Sequence, residues 1–260
     1  MQPWLAGFDS ALCEAVLATV AAGGDALPML NGALNHRSNA QGLPTHFVPQ
    51  ATLPAGVAYE QFIYDTGGVP TRNLAHSKGA MHDACNALMW LHYPKTKARL
   101  NQLQAHVIAA QGVQATRGRL RDALTLFDES ALIVTTPAGD VARAQLAQRD
   151  WRGLLVNRRA EWGSALNAQV FGHAVLQKLQ APYPAITGQV WCVSGLADTQ
   201  LSSIDVALAA SLGAQLHPEQ LLPLPVLGIP GFWAENENPT FYDNVAVFRP
   251  LASSAEQQAL

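Results

Sequence analysis

The stretch RLRDALTLFDESALIVTT, residues 119–136, decides the fold. Its first part, from Arg119 to about Leu126, reads as a helix. Its last part, Leu132-Ile133-Val134-Thr135-Thr136, is a β-branched run that suits a pleated surface. Between them lie Asp128, Glu129 and Ser130, residue types that favour turns because their side chains bond nearby backbone. The run therefore predicts a β-hairpin with its turn at Asp128–Ser130. A helix and a short strand side by side predict an α+β fold, predominantly helical, with short antiparallel strands, in a single domain over residues 1–260.

Upstream, Asp9-Ser10 can cap a helix running to Ala22, stopped by Gly23-Gly24. Residues 30–54, rich in Asn, Gly, Pro and His, read as a long irregular connection. Tyr59 to Tyr64 alternates imperfectly and is read as a strand. Met81, Ala84, Cys85, Leu88 and Leu91 recur at helical spacing, so a helix is expected from Gly79 to Leu91. Pro94 opens the next, to about Ala110. Downstream, helices are expected at 140–148, 150–161, 168–179 and 202–212, with a strand at 189–193. The Pro-, Gly- and aromatic-rich tail from Pro223 to Pro250 should wrap the surface, as a lid or a plug.

Hydrophobic residues make up 49% of the 260 and charged residues only 13%, about half the usual share. The net charge is −3, which points away from general nucleic-acid binding. Charge is nevertheless segregated. No acidic residue lies between Asp83 and Asp122, where Lys95, Lys97, Arg99, Arg117, Arg119 and Arg121 fall. After Lys178, Arg249 stands alone against seven acidic residues. These are read either as two faces that help each other fold or as part of an anion site. Three cysteines without metal-ligand spacing, Cys13, Cys85 and Cys192, fit buried thiols in a reducing compartment. Cys85 as a nucleophile is the alternative. There is no targeting signal and no run of about 20 apolar residues. A cytoplasmic, non-membrane setting is expected.

Several strings resemble one bacterial family. They are Val69-Pro70-Thr71-Arg72, His82-Asp83-Ala84-Cys85-Asn86-Ala87-Leu88-Met89-Trp90-Leu91 and Tyr93-Pro94-Lys95-Thr96-Lys97. Arg121 to Glu129, Phe171-Gly172-His173-Ala174, Gly228-Ile229-Pro230-Gly231, Phe241-Tyr242-Asp243 and Phe248-Arg249-Pro250 continue the likeness. Over about residues 45–250 the chain resembles the domain of unknown function DUF3025. Asn73–Met81 lengthens one link, and Ala84-Cys85 stands where an aromatic pair is usual. The resemblance implies a cytoplasmic bacterial protein and no activity, so chemistry must come from the residues.

The helix bearing His82, Asp83, Asn86 and Trp90 is the foremost candidate, because positions 82, 86 and 90 share one helical face. A His-Asp pair can ligate a metal or act as base and carboxylate. Alternatively, His82 and Asn86 only bond loop backbone. His173 is either a core histidine or a partner of His82 at a shared site; His76 is a lesser candidate. Asp128 and Glu129 can bind a cation or act as acid and base if their turn faces a cleft. Arg72, Lys97 and Arg121, with Lys95, can grip a phosphate or carboxylate. Nucleotide-binding glycine loops, GxSxG and HExxH are absent.

The expected catalytic set is thus His82, Asp83, Asn86 and Glu129. Substrate binding falls to Arg72, Trp90, Lys97 and Arg121, and a divalent metal ion to His82, Asp83, His173 and Asp128. The function expected is metal-assisted hydrolase-type chemistry on a small anionic substrate. The alternative is a non-catalytic binding or adaptor module whose His-Asp-Asn cluster is structural. Oligomeric state stays open.

Overall fold

Burial of the run Ala131–Thr136 organises the architecture. All six residues of this strand, β3, are buried, which is why the run is continuously apolar rather than alternating. In a computed structural model, which describes residues 2–72, 79–112, 118–196 and 198–251, β3 is an inner strand of a four-stranded sheet. It pairs antiparallel with β4 (Asn167–Val170) and parallel with β5 (Thr187–Ser194). β6 (Leu222–Pro225) completes the sheet, antiparallel to β5. A separate parallel pair joins β1 (His46–Pro49) to β2 (Gly68–Thr71).

Around these strands pack α1 (Ser10–Ala21), α2 (Leu27–Gly32), α3 (Tyr59–Thr66), α4 (Ala80–His92) and α5 (Pro94–Gln111). α6 (Arg119–Ser130), α7 (Ala142–Gln148), α8 (His173–Lys178) and α9 (Leu201–Ser211) follow. The mixture of helix and strand agrees with the expected class, although the sheet is mixed rather than purely antiparallel. One continuous apolar core runs from Trp4 to Phe248.

Several local expectations hold for the reasons given. Asp9 caps α1 by accepting from the Leu12 amide at 3.0 Å. Pro94 opens α5, and Gly112, at φ 70°, closes it. The α5 amides of Lys95 and Thr96 are satisfied from another helix: buried Asp205 of α9 accepts both, at 2.9 and 2.8 Å. α1 is tied to α4 through His92, whose ring stacks on Phe8 and accepts from the Asp9 amide.

Five expectations are corrected. Tyr59–Thr66 is a helix, because Ile63 is buried against α5 and Gly67 closes the last turn in a left-handed conformation. The segment 30–54 contains the end of α2 and strand β1. The expected helix at 168–179 divides into β4 and α8, because Phe171 and Gly172 both bond the Ala131 carbonyl where the chain crosses β3. There is no hairpin at Asp128–Ser130: α6 runs to Ser130 and enters β3 directly. Fully buried Phe127, tilted against Phe171 and edge-on to Trp191, draws that last helical turn into the core. The helix expected at 150–161 is a π-helical turn, Arg152–Asn157, then a 3-10 turn.

The tail acts as a plug: Ile229, Phe232, Tyr242 and Phe248 are buried. Part of the charge segregation resolves into ion pairs between the halves. Arg119 meets Glu219 at 2.8 Å, Arg159 meets Glu237 and Arg152 meets Asp243. Burial pushes the Cys85 thiol up to about 12, which leaves it a core residue and no nucleophile. No helix among the described residues is long and apolar enough to cross a membrane.

Candidate active site

A cavity of about 430 Å³ opens where α3, α4, α6 and α8 converge. Its wall includes Arg72, His82, Asp83, Asn86, Asp128, Glu129 and His173, seven of the residues singled out from sequence. Tyr59, Glu60, Gln104 and Thr125 join them.

The two histidines meet across the cavity wall. His82 Nε2 lies 3.0 Å from His173 Nε2, and His82 Nδ1 lies 3.0 Å from Gln177 Oε1. The Gln177 side-chain amide holds the His82 ring at Nδ1, which leaves Nε2 for His173. The two Nε2 atoms share one hydrogen, and the other ring nitrogen of His173, Nδ1, faces Asp128. That atom is buried without a hydrogen-bond partner, 3.8 Å from Asp128 Oδ2. Burial pushes the His173 imidazole down to about 4, against the pull of Asp128, so His173 is neutral at pH 7. An added proton has a place prepared for it, on His173 Nδ1 beside the Asp128 carboxylate.

This carries a sign for stability. An unfolded histidine titrates near 6.5, so between pH 6.5 and 4 the unfolded chain binds more protons than the folded one. Stability is full above about pH 6.5 and falls as pH drops towards 4. The urea midpoint of the wild type is therefore expected to fall more steeply between pH 6.5 and 4.5 than that of His173→Gln. Equal slopes would show that His173 is not held neutral.

Asp128 is fixed from the other side. Lys97 Nζ reaches Asp128 Oδ1 at 2.5 Å and Asn86 Oδ1 at 2.7 Å. Burial would raise the Asp128 carboxyl, but the Lys97 charge and its hydrogen bond to the carboxylate work against that, and the group is held below the usual range. Because an ammonium only donates, Asn86 must offer its oxygen to Lys97 and its amide nitrogen to Tyr59, whose hydroxyl oxygen lies 3.1 Å away. The Tyr59 proton is thereby left for the cavity. Asp83 accepts from the Arg72 backbone amide at 2.8 Å and from its guanidinium at 3.1 Å. Burial raises the Asp83 carboxyl, and Arg72 draws it part of the way back.

The structure redistributes several expected roles. Trp90 and Lys97 stand behind the cavity, beside a void of about 40 Å³, with Lys97 Nζ 5.5 Å from the Trp90 ring centroid. Neither belongs to the larger cavity's lining, and the same holds for Arg121, which is buried on α6. Asn86 positions Tyr59. Glu129 reaches the cavity from a helix end and not from a turn. The four-residue metal set is not gathered. His82 and His173 face each other, but Asp128 lies at the far nitrogen of His173 and Asp83 is held by Arg72. Among the described residues no three His, Cys, Asp or Glu side chains converge to hold an ion, where catalytic sites commonly use three protein ligands. His76 and Arg117 lie outside the described residues.

Sequence reading missed Tyr59 and Gln104. A signal was present for Gln104. Lys97, Asn101 and Gln104 recur at i, i+4 and i+7, a polar stripe on the buried face of α5. Tyr59 had none, because its partner Asn86 is 27 residues away.

Residues 45–252 match the family model described as "Protein of unknown function (DUF3025)". No curated protein and no solved structure matches the chain.

Proposed function

We propose that this chain, which belongs to the DUF3025 family, is an acid–base enzyme of hydrolase type acting on a small polar substrate in the 430 Å³ cavity. The observation that carries the reading is the proton path Asp128–His173–His82. In it His173, held neutral by burial, meets His82 on one side and on the other a carboxylate placed to receive it as a cation. In a hydrolytic step a water takes the place of His173 at His82 Nε2 and gives that atom its proton as the water oxygen bonds to the electrophilic centre. The same proton then passes to the departing group as its bond breaks. Tyr59 Oη–H and the outer N–H groups of Arg72 supply donors for the negative charge that develops on the electrophile. Among the described residues the donors do not form a metal-ligand set.

The test is a panel of ester, amide and phosphoester substrates with the wild type, His82→Gln and His173→Gln. Each substitution is expected to cost about 10²- to 10⁴-fold in turnover, the usual contribution of a positioned acid–base group, with the fold retained. Full turnover in both variants would sink the reading.

A second reading has its own support. The buried Lys97–Asp128–Asn86 knot ties α4, α5 and α6 together irrespective of catalysis. A binding or adaptor module would show the knot's contribution to stability and no turnover on any member of the panel.

A further inference from the structure

Helix α8 holds His82 from both sides. His173 and Gln177 stand at i and i+4, so both side chains leave the same face of α8 towards α4. His173 Nε2 meets His82 Nε2 at 3.0 Å, and Gln177 Oε1 meets His82 Nδ1 at 3.0 Å. The two imidazole planes cross at 77°, so one ring edge addresses the other. A ring held at both nitrogens is fixed in orientation, but its hydrogen can sit on either of them. In the hydrolytic step proposed above, Nε2 has to be bare to take the proton of water. A neutral imidazole then carries its hydrogen on Nδ1. Of the two ends of the Gln177 amide only the oxygen accepts that hydrogen, since the NH₂ end donates.

We infer that Gln177 is the positioning residue of His82: its Oε1 accepts the Nδ1 hydrogen and so keeps Nε2 bare for the water. The inference rests on the acid–base reading for why that tautomer matters, but the tautomer itself belongs to the folded protein with or without turnover. In a Ser-His-Asp site a carboxylate does this orienting. Gln177 does it without adding a charge. The other titratable groups that act on His82 are Asp83 of its own helix, paired with Arg72, Asp128 of α6, paired with Lys97, and His173 of α8. Glutamate at position 177 would add a carboxylate in direct contact with the ring and favour the imidazolium.

The experiment is nitrogen-15 NMR of the histidine rings in the substrate-free protein, at a pH where His82 is neutral, for the wild type, Gln177→Met and Gln177→Glu. Methionine keeps the length of glutamine and offers no strong acceptor, whereas glutamate keeps the acceptor. The His82 hydrogen is expected on Nδ1 in the wild type and divided between the two nitrogens in Gln177→Met. In Gln177→Glu it is expected back on Nδ1, with the midpoint of the His82 titration about one pH unit above that of the wild type. On a substrate that is turned over, Gln177→Met is expected to lose about 10- to 100-fold, the cost of removing the group that orients a functional imidazole, and Gln177→Glu to recover it. A wild-type hydrogen on Nε2, or an unchanged tautomer in Gln177→Met, would overturn the inference, even if that variant is less stable. Should Gln177→Met not fold, an unmoved midpoint in Gln177→Glu would overturn it equally. Absence of turnover on the whole panel would count against the acid–base reading alone, because the tautomer is read without substrate.

Discussion

Replacing Lys97 by methionine is expected to cost about 3 kcal/mol of stability, the lower end of the range for breaking a buried pair from one side. Methionine keeps the length and the apolar stem, so packing against Trp90 survives and the charge alone is removed. The Lys97 side chain is 4% exposed and Asp128 is 20% exposed, so water replaces little of what is lost. Two acceptors, Asp128 Oδ1 and Asn86 Oδ1, would lose their shared donor together. The Asp128 carboxyl, relieved of its counter-ion, would rise towards protonation. Urea denaturation measures the loss, and the double variant Lys97→Met, Asp128→Leu should recover most of it. Replacing both partners of a buried pair by apolar groups is often neutral. A single-variant loss under about 1 kcal/mol would mean that the pair contributes no more than a surface bridge.

Substituting Gly172 by alanine should cost a similar amount, about 3 kcal/mol, at the upper end for overpacking. The backbone of Gly172 has φ −63°, which alanine adopts freely, so the penalty is steric and not conformational. A Cβ there would stand 2.5 Å from the Glu129 carbonyl oxygen and 2.6 Å from both Ala131 N and Ser130 C. All three are backbone atoms at the junction of α6 and β3, and none can swing aside as a side chain would. Relief requires α8 to move away from α6, which also draws His173 from Asp128. The loss of stability should therefore appear with a loss of turnover, although Gly172 touches no substrate. Gly118→Ala is the control. Among the described residues a Cβ there meets nothing within 4 Å and the backbone φ is −76°, so stability should be unchanged or slightly higher. Equal behaviour of the two variants in denaturation would refute the close approach.

Both predictions concern a junction that local pattern misreads. Asp128, Glu129 and Ser130 are turn formers by composition, and a β-branched run follows them, so a hairpin is the natural local expectation. Phe127 decides otherwise. Burying its ring against Phe171 and Trp191 extends α6 by one turn, and that turn aims Asp128 at Lys97 and His173. The same competition explains the divided segment at 168–179. Val170, Phe171 and Val175 have helical spacing, but antiparallel pairing of β4 gives the buried edge of β3 hydrogen-bond partners that a helix there would not supply.

By itself the sequence determined the class of fold, the strand Leu132–Thr136, and the helices capped by Asp9 and opened by Pro94. Each of these depends on apolar periodicity or on a capping residue within a few positions, so the information is local. It also singled out His82, Asp83, Asn86, Asp128, Glu129 and His173 as polar groups among apolar ones, and all six line the cavity. Their roles were decided only in the tertiary structure. The Nε2 atoms of His82 and His173 meet across 91 residues, Lys97 joins Asp128 across 31, and Asp205 caps α5 across 109. Whether a cation faces a ligand or is spent on a carboxylate depends on such long-range pairing, and charge counted along the chain cannot register it. That is why Arg72, Lys97 and Arg121 read as an anion site in sequence, while in the folded protein Arg72 is paired with Asp83 and Lys97 with Asp128.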